Sequence, residues 1–213
     1  MVRSISYDQH EIIRDIITLY CPHGIDVDPT YSTGGFYKTG IEQPKHKYDI
    51  NPVVSGVKGA DCQHLPLKDK SVRSIIFDPP FLATTGKSLR KENDSNKLNK
   101  RFGVYDSEES LRELYYNSMK EFHRILKPNG ILIFKCQDKV SSGKQIWNHC
   151  WIYEMATGAT RSCLLHPAYQ QQLFKAEDLF VLLAKNRLVA DWQLRNQKHA
   201  RKFHCFFWVF KKK

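Results

Sequence analysis

The chain contains 213 residues, of which 41% are hydrophobic and 26% are charged, as in an ordinary globular protein. Its apolar runs are too short to span a bilayer and no apolar signal core follows Met1, so we expect a cytoplasmic protein without a membrane partner. Six scattered cysteines form no Cys-x-x-Cys pair and no zinc-site spacing, which predicts reduced thiols and no metal. The formal net charge of +11 favours a polyanionic partner.

The first half of the chain predicts a helix followed by short extended segments. The helix begins at a capping box of Ser6 and Gln9 and carries isoleucines at helical spacing. The predicted bounds are 6–20 for the helix and 24–28 and 72–77 for two strands, with further extended segments ending at Asp49 and Asp61. Pro79 and Pro80 follow the strand 72–77 and end it, because consecutive prolines cannot continue a central strand.

The second half alternates amphipathic helices with apolar strands. It opens with a polar, basic stretch over residues 83–107, where we expect a functional loop inserted after that strand. The predicted bounds are 107–126 and 145–156 for helices and 131–134, 179–184 and 205–210 for strands. Strands alternating with helices predict an α/β protein whose mostly parallel sheet is covered on both faces. No internal repeat divides the chain, so a single domain over residues 1–213 is expected.

Four aspartates stand at predicted carboxyl ends of strands: Asp28, Asp49, Asp61 and Asp78. Open parallel sheets bind ligands in the crevice beyond the carboxyl ends of their strands. One or two such aspartates would be unremarkable helix caps or turn residues. Four aspartates at the same edge of the sheet predict a ligand-binding site.

The tetrad Asp78-Pro79-Pro80-Phe81 carries the most specific chemistry. An amino group on an aromatic base is a poor nucleophile, because its lone pair is delocalised into the ring. A carboxylate can accept one of its hydrogens and a rigid backbone carbonyl the other, which points the lone pair at an electrophile. Two prolines hold such a carbonyl in place, and an aromatic ring can stack on a flat substrate. A simple turn after a strand is the alternative.

The tetrad resembles the catalytic motif, Asp/Asn-Pro-Pro-Tyr/Phe/Trp, of the amino-methylating methyltransferases that use S-adenosyl-L-methionine. The resemblance implies a Rossmann-like class I methyltransferase fold, with a mostly parallel seven-stranded sheet, helices on both faces and an antiparallel last strand. It implies S-adenosyl-L-methionine as cofactor and Asp78, Pro79, Pro80 and Phe81 as catalytic residues. Residues 126–133 resemble the family's junction between a helix and the fifth strand.

Upstream, residues 28–36 resemble the family's first motif, in which an acid and a proline lead into a glycine-containing cofactor loop. The chain departs from that motif at Ser32, where the family usually has its first glycine. Asp49 matches the acid that binds the cofactor's ribose hydroxyls, and Asp61 matches the residue that accepts from its adenine amino group. The resemblance thereby assigns cofactor binding to Asp28, Pro29, Thr30, Tyr31, Gly34, Asp49, Asp61 and Cys62.

Two basic segments suit a nucleic-acid partner. They comprise Lys87, Arg90, Lys91, Lys97, Lys100 and Arg101 in the loop 83–107, and Lys198, Arg201 and Lys202 before the last strand. Such residues can bind backbone phosphates while the target base is flipped out of the nucleic-acid duplex. A solubilising loop and ordinary surface charges are the alternative.

The leading hypothesis is a DNA methyltransferase that acts on the exocyclic amino group of a flipped base, with adenine N6 favoured by the aspartate form of the tetrad. Methylation of an RNA base, methylation of a protein glutamine and an inactive nucleic-acid-binding protein are the alternatives. The motifs leave no room for a separate target-recognition domain. Recognition must then come from the loop 83–107, the C-terminal basic stretch, a second copy in a homodimer or a partner subunit.

Overall fold

The computed structural model describes residues 1–81, 83, 105, 107–141, 143–159, 171–185, 195 and 198–213. Its strands are β1 (Ile5–Ser6), β2 (Val27–Asp28), β3 (His46–Asp49), β4 (Lys58–Gly59), β5 (Val72–Phe77), β6 (Leu126–Cys136), β7 (Lys139–Ser141), β8 (Lys144–Ile146), β9 (Phe174–Leu183) and β10 (His204–Lys212). Its α-helices are α1 (Gln9–Tyr20), α2 (Glu108–Ile125) and α3 (Asn148–Thr157). None of these helices is long and apolar enough to cross a membrane.

One sheet joins eight of the described strands, in the order β1-β9-β10-β6-β5-β2-β3-β4. The neighbours from β4 through β3, β2 and β5 to β6 are parallel, whereas β10 is antiparallel to both β6 and β9. The predicted α/β sheet with an antiparallel last strand is confirmed. The predicted number of seven strands was one too low, because the two-residue β1 pairs with β9 at the edge. The parallel strands bring their carboxyl ends to one rim.

Helices cover both faces of the sheet, because side chains alternate along its central strands. On β5, Ile75 and Phe77 belong to one buried cluster, together with residues of α2 and α3. Ile76 belongs to a second cluster, together with isoleucines of α1. β6 alternates in the same way. The predicted covering of both faces is confirmed, and it leaves the strand ends as the place where polar groups collect.

Some local predictions were wrong in ways that the contacts explain. α1 is capped by Asp8, whose carboxylate accepts from the His10 amide at 2.8 Å, while the predicted cap Ser6 belongs to β1. The helix predicted over 145–156 begins only at Asn148, because β7 and β8 form an antiparallel hairpin first. β9 begins at Phe174, five residues before the predicted strand 179–184. The strand predicted over 72–77 was correct.

Candidate active site

The rim of the sheet gathers the predicted carboxylates around one cavity of about 590 Å³. Asp28 and Asp49 are the last residues of β2 and β3, Asp61 follows β4, and Asp78 follows β5 directly. The predicted residues that line the cavity are Asp28, Pro29, Thr30, Tyr31, Asp49, Asp61, Cys62, Asp78 and Pro80. Gly34, Pro79 and Phe81 lie beside the cavity without lining it. The separate strand ends therefore form a single site.

The loop after β2 is wound tightly against β3. Ser32 has a φ of 50°, in the left-handed region that favours glycine, and its amide donates to Asp49 Oδ2 at 2.8 Å. Gly34 also has a positive φ, of 69°. A Cβ atom at Gly34 would lie 2.5 Å from the Tyr31 hydroxyl oxygen. The departure from the family motif at Ser32 therefore leaves the glycine-like backbone in place, while Gly34 meets both a conformational and a steric requirement.

Gly34→Ala is expected to destabilise the protein by about 2 kcal/mol, because the left-handed backbone costs roughly 1 kcal/mol for alanine and the Cβ atom displaces the Tyr31 ring. Gly40→Ala is the matched control, since Gly40 has a φ of 80° but no heavy atom within 4 Å of its Cβ position. Urea unfolding of the two variants measures the difference. An equal loss of stability in both would show that the contact with Tyr31 has no energetic consequence.

Asp28 is the most buried of the four acids, with 1% of its surface exposed. Its carboxylate accepts from the Thr30 amide at 3.0 Å and from the Tyr37 hydroxyl at 2.8 Å. Burial raises the pKa of Asp28 to about 7, against these two hydrogen bonds, and the negative charges of Asp78 and Asp49 raise it further. Near neutral pH the site therefore has an acid that a bound cation can ionise.

Asp28→Asn is expected to stabilise the unliganded protein at pH 8 and to have little effect near pH 4. The folded-state pKa of about 7 lies above the reference value of 3.8, so Asp28 destabilises the fold increasingly as pH rises between these values. The cost at pH 8 is on the order of a few kcal/mol, and asparagine removes it. Thermal unfolding across this pH range tests the effect, and a constant difference between variant and wild type would contradict it.

Asp49 and Asp61 are held in place by nearby donors. Asp49 Oδ1 accepts from the Asn51 amide at 2.9 Å, and Asp61 Oδ1 accepts from the Gln63 amide at 2.9 Å. Each carboxylate keeps lone pairs for a ligand in the cavity. Cys62 lines the same cavity, and its sulfur lies 3.3 Å from Ser118 Oγ. The arrangement fits a ligand with hydroxyl or amino donors along the ends of β2, β3 and β4, which is the chemistry of a nucleoside with an amino-acid tail.

The backbone of the tetrad is fixed from three sides. The Asp78 amide donates to Thr30 Oγ1 at 3.0 Å, the Tyr115 hydroxyl donates to the Pro80 carbonyl at 2.8 Å, and Lys139 Nζ donates to the Phe81 carbonyl at 2.7 Å. Burial raises the pKa of Tyr115 well above its usual value, so its hydroxyl remains a donor. The turn after β5 is thus supported by the loop that follows β2, by α2 and by β7, which makes it rigid.

Lys135 is a site residue that the sequence analysis missed. Its Nζ lies 2.8 Å from Asp78 Oδ2, and only 14% of the Lys135 side chain and 25% of the Asp78 side chain are exposed. The ammonium also lies over the rings of Phe36 and Phe207, at 5.1 and 5.8 Å from their centres. The sequence signal for Lys135 was its position directly after the apolar run 131–134, on the strand that pairs with β5, which Asp78 follows.

The basic residues predicted to bind nucleic acid are only partly described. Lys87, Arg90, Lys91, Lys97, Lys100 and Arg101 lie outside the described residues. Lys198 is exposed, Arg201 and Lys202 are half-buried, and the Lys202 carbonyl accepts from Gln137 Nε2 at 3.3 Å. That bond ties the segment before β10 to the end of β6, on the rim that carries Asp78.

No protein-family model matches the chain and no curated protein matches it, whereas solved structures do. A candidate sarcosine dimethylglycine methyltransferase from Galdieria sulphuraria is similar with a TM-score of 0.50 and 12% identity, over 96% of this chain and 85% of that one. The PvuII DNA methyltransferase, specific for cytosine N4, matches with a TM-score of 0.45 and 14% identity, over 70% and 45% of the two chains. TrmN from Thermus thermophilus matches with a TM-score of 0.48 and 13% identity, over 96% of this chain and 49% of that one.

The chain spans less than half the length of the PvuII and TrmN structures. At such identities the similarity concerns the fold alone. The strand order β4-β3-β2-β5-β6-β10-β9, with β10 antiparallel, is a three-layer α/β arrangement with a cavity across its strand ends. The chain therefore has a Rossmann-like α/β fold, as the Galdieria sulphuraria structure does.

Proposed function

We propose that the chain is a DNA methyltransferase that uses S-adenosyl-L-methionine to methylate the exocyclic amino group of a flipped base, adenine N6 in the first place. The observation that carries the proposal is the placing of Asp78. Its carboxylate lines the same cavity as Asp28, Asp49 and Asp61, and it stands on a turn held by three hydrogen bonds. A hydrogen-bond acceptor that is held in place beside a cavity large enough for the cofactor can orient the amino group of a substrate.

The cofactor supplies an electrophilic methyl group on a sulfonium. Asp49 would hold its ribose hydroxyls and Asp61 its adenine amino group. Asp28, buried and near its pKa at neutral pH, would ionise beside the cofactor's positive charge. All three carboxylates line one cavity and can accept hydrogen bonds from, or neutralise, groups of S-adenosyl-L-methionine.

At the target amino group, Asp78 Oδ1 accepts one hydrogen while Oδ2 remains bound to Lys135. Within the described residues the Pro79 carbonyl has no hydrogen-bond donor, so it is left to accept the second hydrogen. With both hydrogens engaged, the nitrogen lone pair is directed at the methyl group, and the Phe81 ring stacks on the base. Catalysis here consists of positioning and electrostatic preorganisation.

A nucleic-acid substrate is favoured by the net charge of +11 and by basic residues on the rim, such as Lys202. The choice of DNA and of adenine rests on the resemblance of the Asp78 tetrad to the aspartate form of the family's motif, which favours adenine.

The test uses the purified chain, labelled S-adenosyl-L-methionine and three substrates: duplex DNA of random sequence, RNA of the same sequence and a glutamine-containing peptide. Mass spectrometry of the digested products identifies the methylated group. We expect N6-methyladenine in DNA only. Methylated RNA or peptide would instead identify that molecule as the substrate. The proposed methyltransferase activity would be refuted if saturating cofactor neither raised the melting temperature of the protein nor gave a methylated product.

A further inference from the structure

The hairpin of β7 and β8 extends from the rim next to the tetrad. Lys139 on β7 donates to the Phe81 carbonyl at 2.7 Å and forms an ion pair of 2.9 Å with Glu108. Ile146 on β8 is the residue paired with Lys139 across the hairpin. Trp147 follows Ile146 directly, so it stands one residue beyond the pair that holds the tetrad.

Trp147 is unlike the other tryptophans that the structure describes. It is 46% exposed, and it contributes no side-chain hydrogen bond to the start of α3. Trp151 is covered by the Arg112 guanidinium, 3.4 Å from its ring centre, and Trp208 donates to the His149 carbonyl at 3.0 Å. Trp147 also meets the ring of His149 edge-on, with the ring centres 6.4 Å apart, but it remains largely exposed at the end of the hairpin, so part of its ring is accessible to a ligand.

The surroundings of Trp147 are positively charged. Lys202 Nζ lies over its ring, 4.5 Å from the centre, and Lys144 is exposed on the same hairpin. Two acids in this part of the fold are engaged, since Asp138 is buried against His149 at 2.8 Å and Glu108 is paired with Lys139. An aromatic face with flanking cations and few free acids matches the chemistry of a nucleic-acid strand, with its stacking bases and phosphates.

We propose that Trp147 is a stacking platform for an unpaired base of the substrate strand, close to the base that is methylated, and that Lys202 and Lys144 bind the adjoining phosphates. The proposal deepens the proposed function, because it places the path of the substrate strand from the tetrad over the β7–β8 hairpin. A platform of this kind requires the strand to be unpaired where it crosses the hairpin. In duplex DNA this surface therefore contacts the strand only where it is locally unpaired, beside the flipped base, and a single-stranded oligonucleotide reports on the same contact.

The test measures binding of a fluorescein-labelled single-stranded oligonucleotide by anisotropy, so it does not depend on methyl transfer. Trp147→Ala is expected to weaken binding about tenfold, and Trp147→Phe to retain most of the affinity, because phenylalanine keeps a stacking face. Lys202→Met is expected to weaken binding and to lower the slope of log affinity against log salt by about one. Tyr7→Ala is the matched control, since Tyr7 is 60% exposed and has Lys185 Nζ 5.3 Å from its ring centre, at the far edge of the sheet.

Lys127→Met, at the opposite rim, controls for the loss of one positive charge, and thermal unfolding verifies that each variant is folded. The platform is refuted if Trp147→Ala binds as tightly as wild type, or if Tyr7→Ala weakens binding to the same extent. An equal loss of poly-glutamate binding in Trp147→Ala would also overturn it, because the surface would then be a general polyanion site. A chain that needs Trp147 for binding but methylates nothing would refute the proposed function and leave the platform standing.

Discussion

Asp78→Ala is expected to reduce methyl transfer by at least about a hundredfold while leaving the dissociation constant of S-adenosyl-L-methionine unchanged. The variant loses the carboxylate that accepts a hydrogen of the target amino group, and preorganised hydrogen-bond partners of this kind contribute factors of about 10²–10³ to rates. The acids assigned to the cofactor, on β2, β3 and after β4, are untouched. Single-turnover methyl transfer and calorimetric titration of the cofactor measure the two effects separately.

Asp78→Asn provides an internal test, because asparagine retains one acceptor oxygen and can keep the turn in place. It is expected to recover part of the rate that alanine loses. Asp69→Ala is the control for a lost aspartate, since Asp69 is 72% exposed and pairs with Arg124 away from the cavity. Undiminished transfer by Asp78→Ala would remove Asp78 from the chemistry, and a parallel loss of cofactor binding would place it in the cofactor site instead.

The parts of this site that the sequence could predict depend on local signals. The strand ending at Phe77 was predicted with correct bounds, because an apolar run ends at two prolines. Helix α2 was predicted to within one residue at each end, since its apolar face and its cap Ser107 are both local. The aspartates at strand ends were found for the same reason, and parallel pairing then necessarily brings them to one rim.

The parts that the sequence could not predict depend on neighbours that are distant in the chain. β1 has two residues and exists only through its pairing with Val181 and Leu182. A helical pattern treats Tyr115 only as part of the apolar face of α2, whereas its hydroxyl donates to the Pro80 carbonyl, 35 residues earlier in the chain. The β7–β8 hairpin is too polar and too short to show a period, so the helix after it was predicted to begin too early. Each of these features is decided by tertiary contacts, which a periodic pattern does not contain.

Lys135→Met is expected to lower kcat about tenfold to a hundredfold with little change in the cofactor's dissociation constant. The ammonium donates to Asp78 Oδ2 at 2.8 Å, and its removal frees the carboxylate to rotate away from the target amino group. Methionine has a similar length and keeps the apolar contact with the rings of Phe36 and Phe207, so the fold should lose little stability. Lys135→Arg restores a charged donor and should recover part of the rate.

The position of Lys135 in the sheet explains why kcat and not cofactor binding should change. β6 flanks β5 on the side opposite to β2 and β3, so the strand that carries Lys135 lies away from those that end in Asp28 and Asp49. If the lysine acts only through Asp78, adding Lys135→Met to Asp78→Ala should cause no further loss of rate, since the two changes then remove one interaction. A further tenfold loss in the double variant, or a tenfold weaker cofactor in Lys135→Met, would show that the ammonium contacts a ligand directly. No further loss in the double variant would show that the Lys135–Asp78 pair, and not the aspartate alone, sets the geometry at the proposed target amino group.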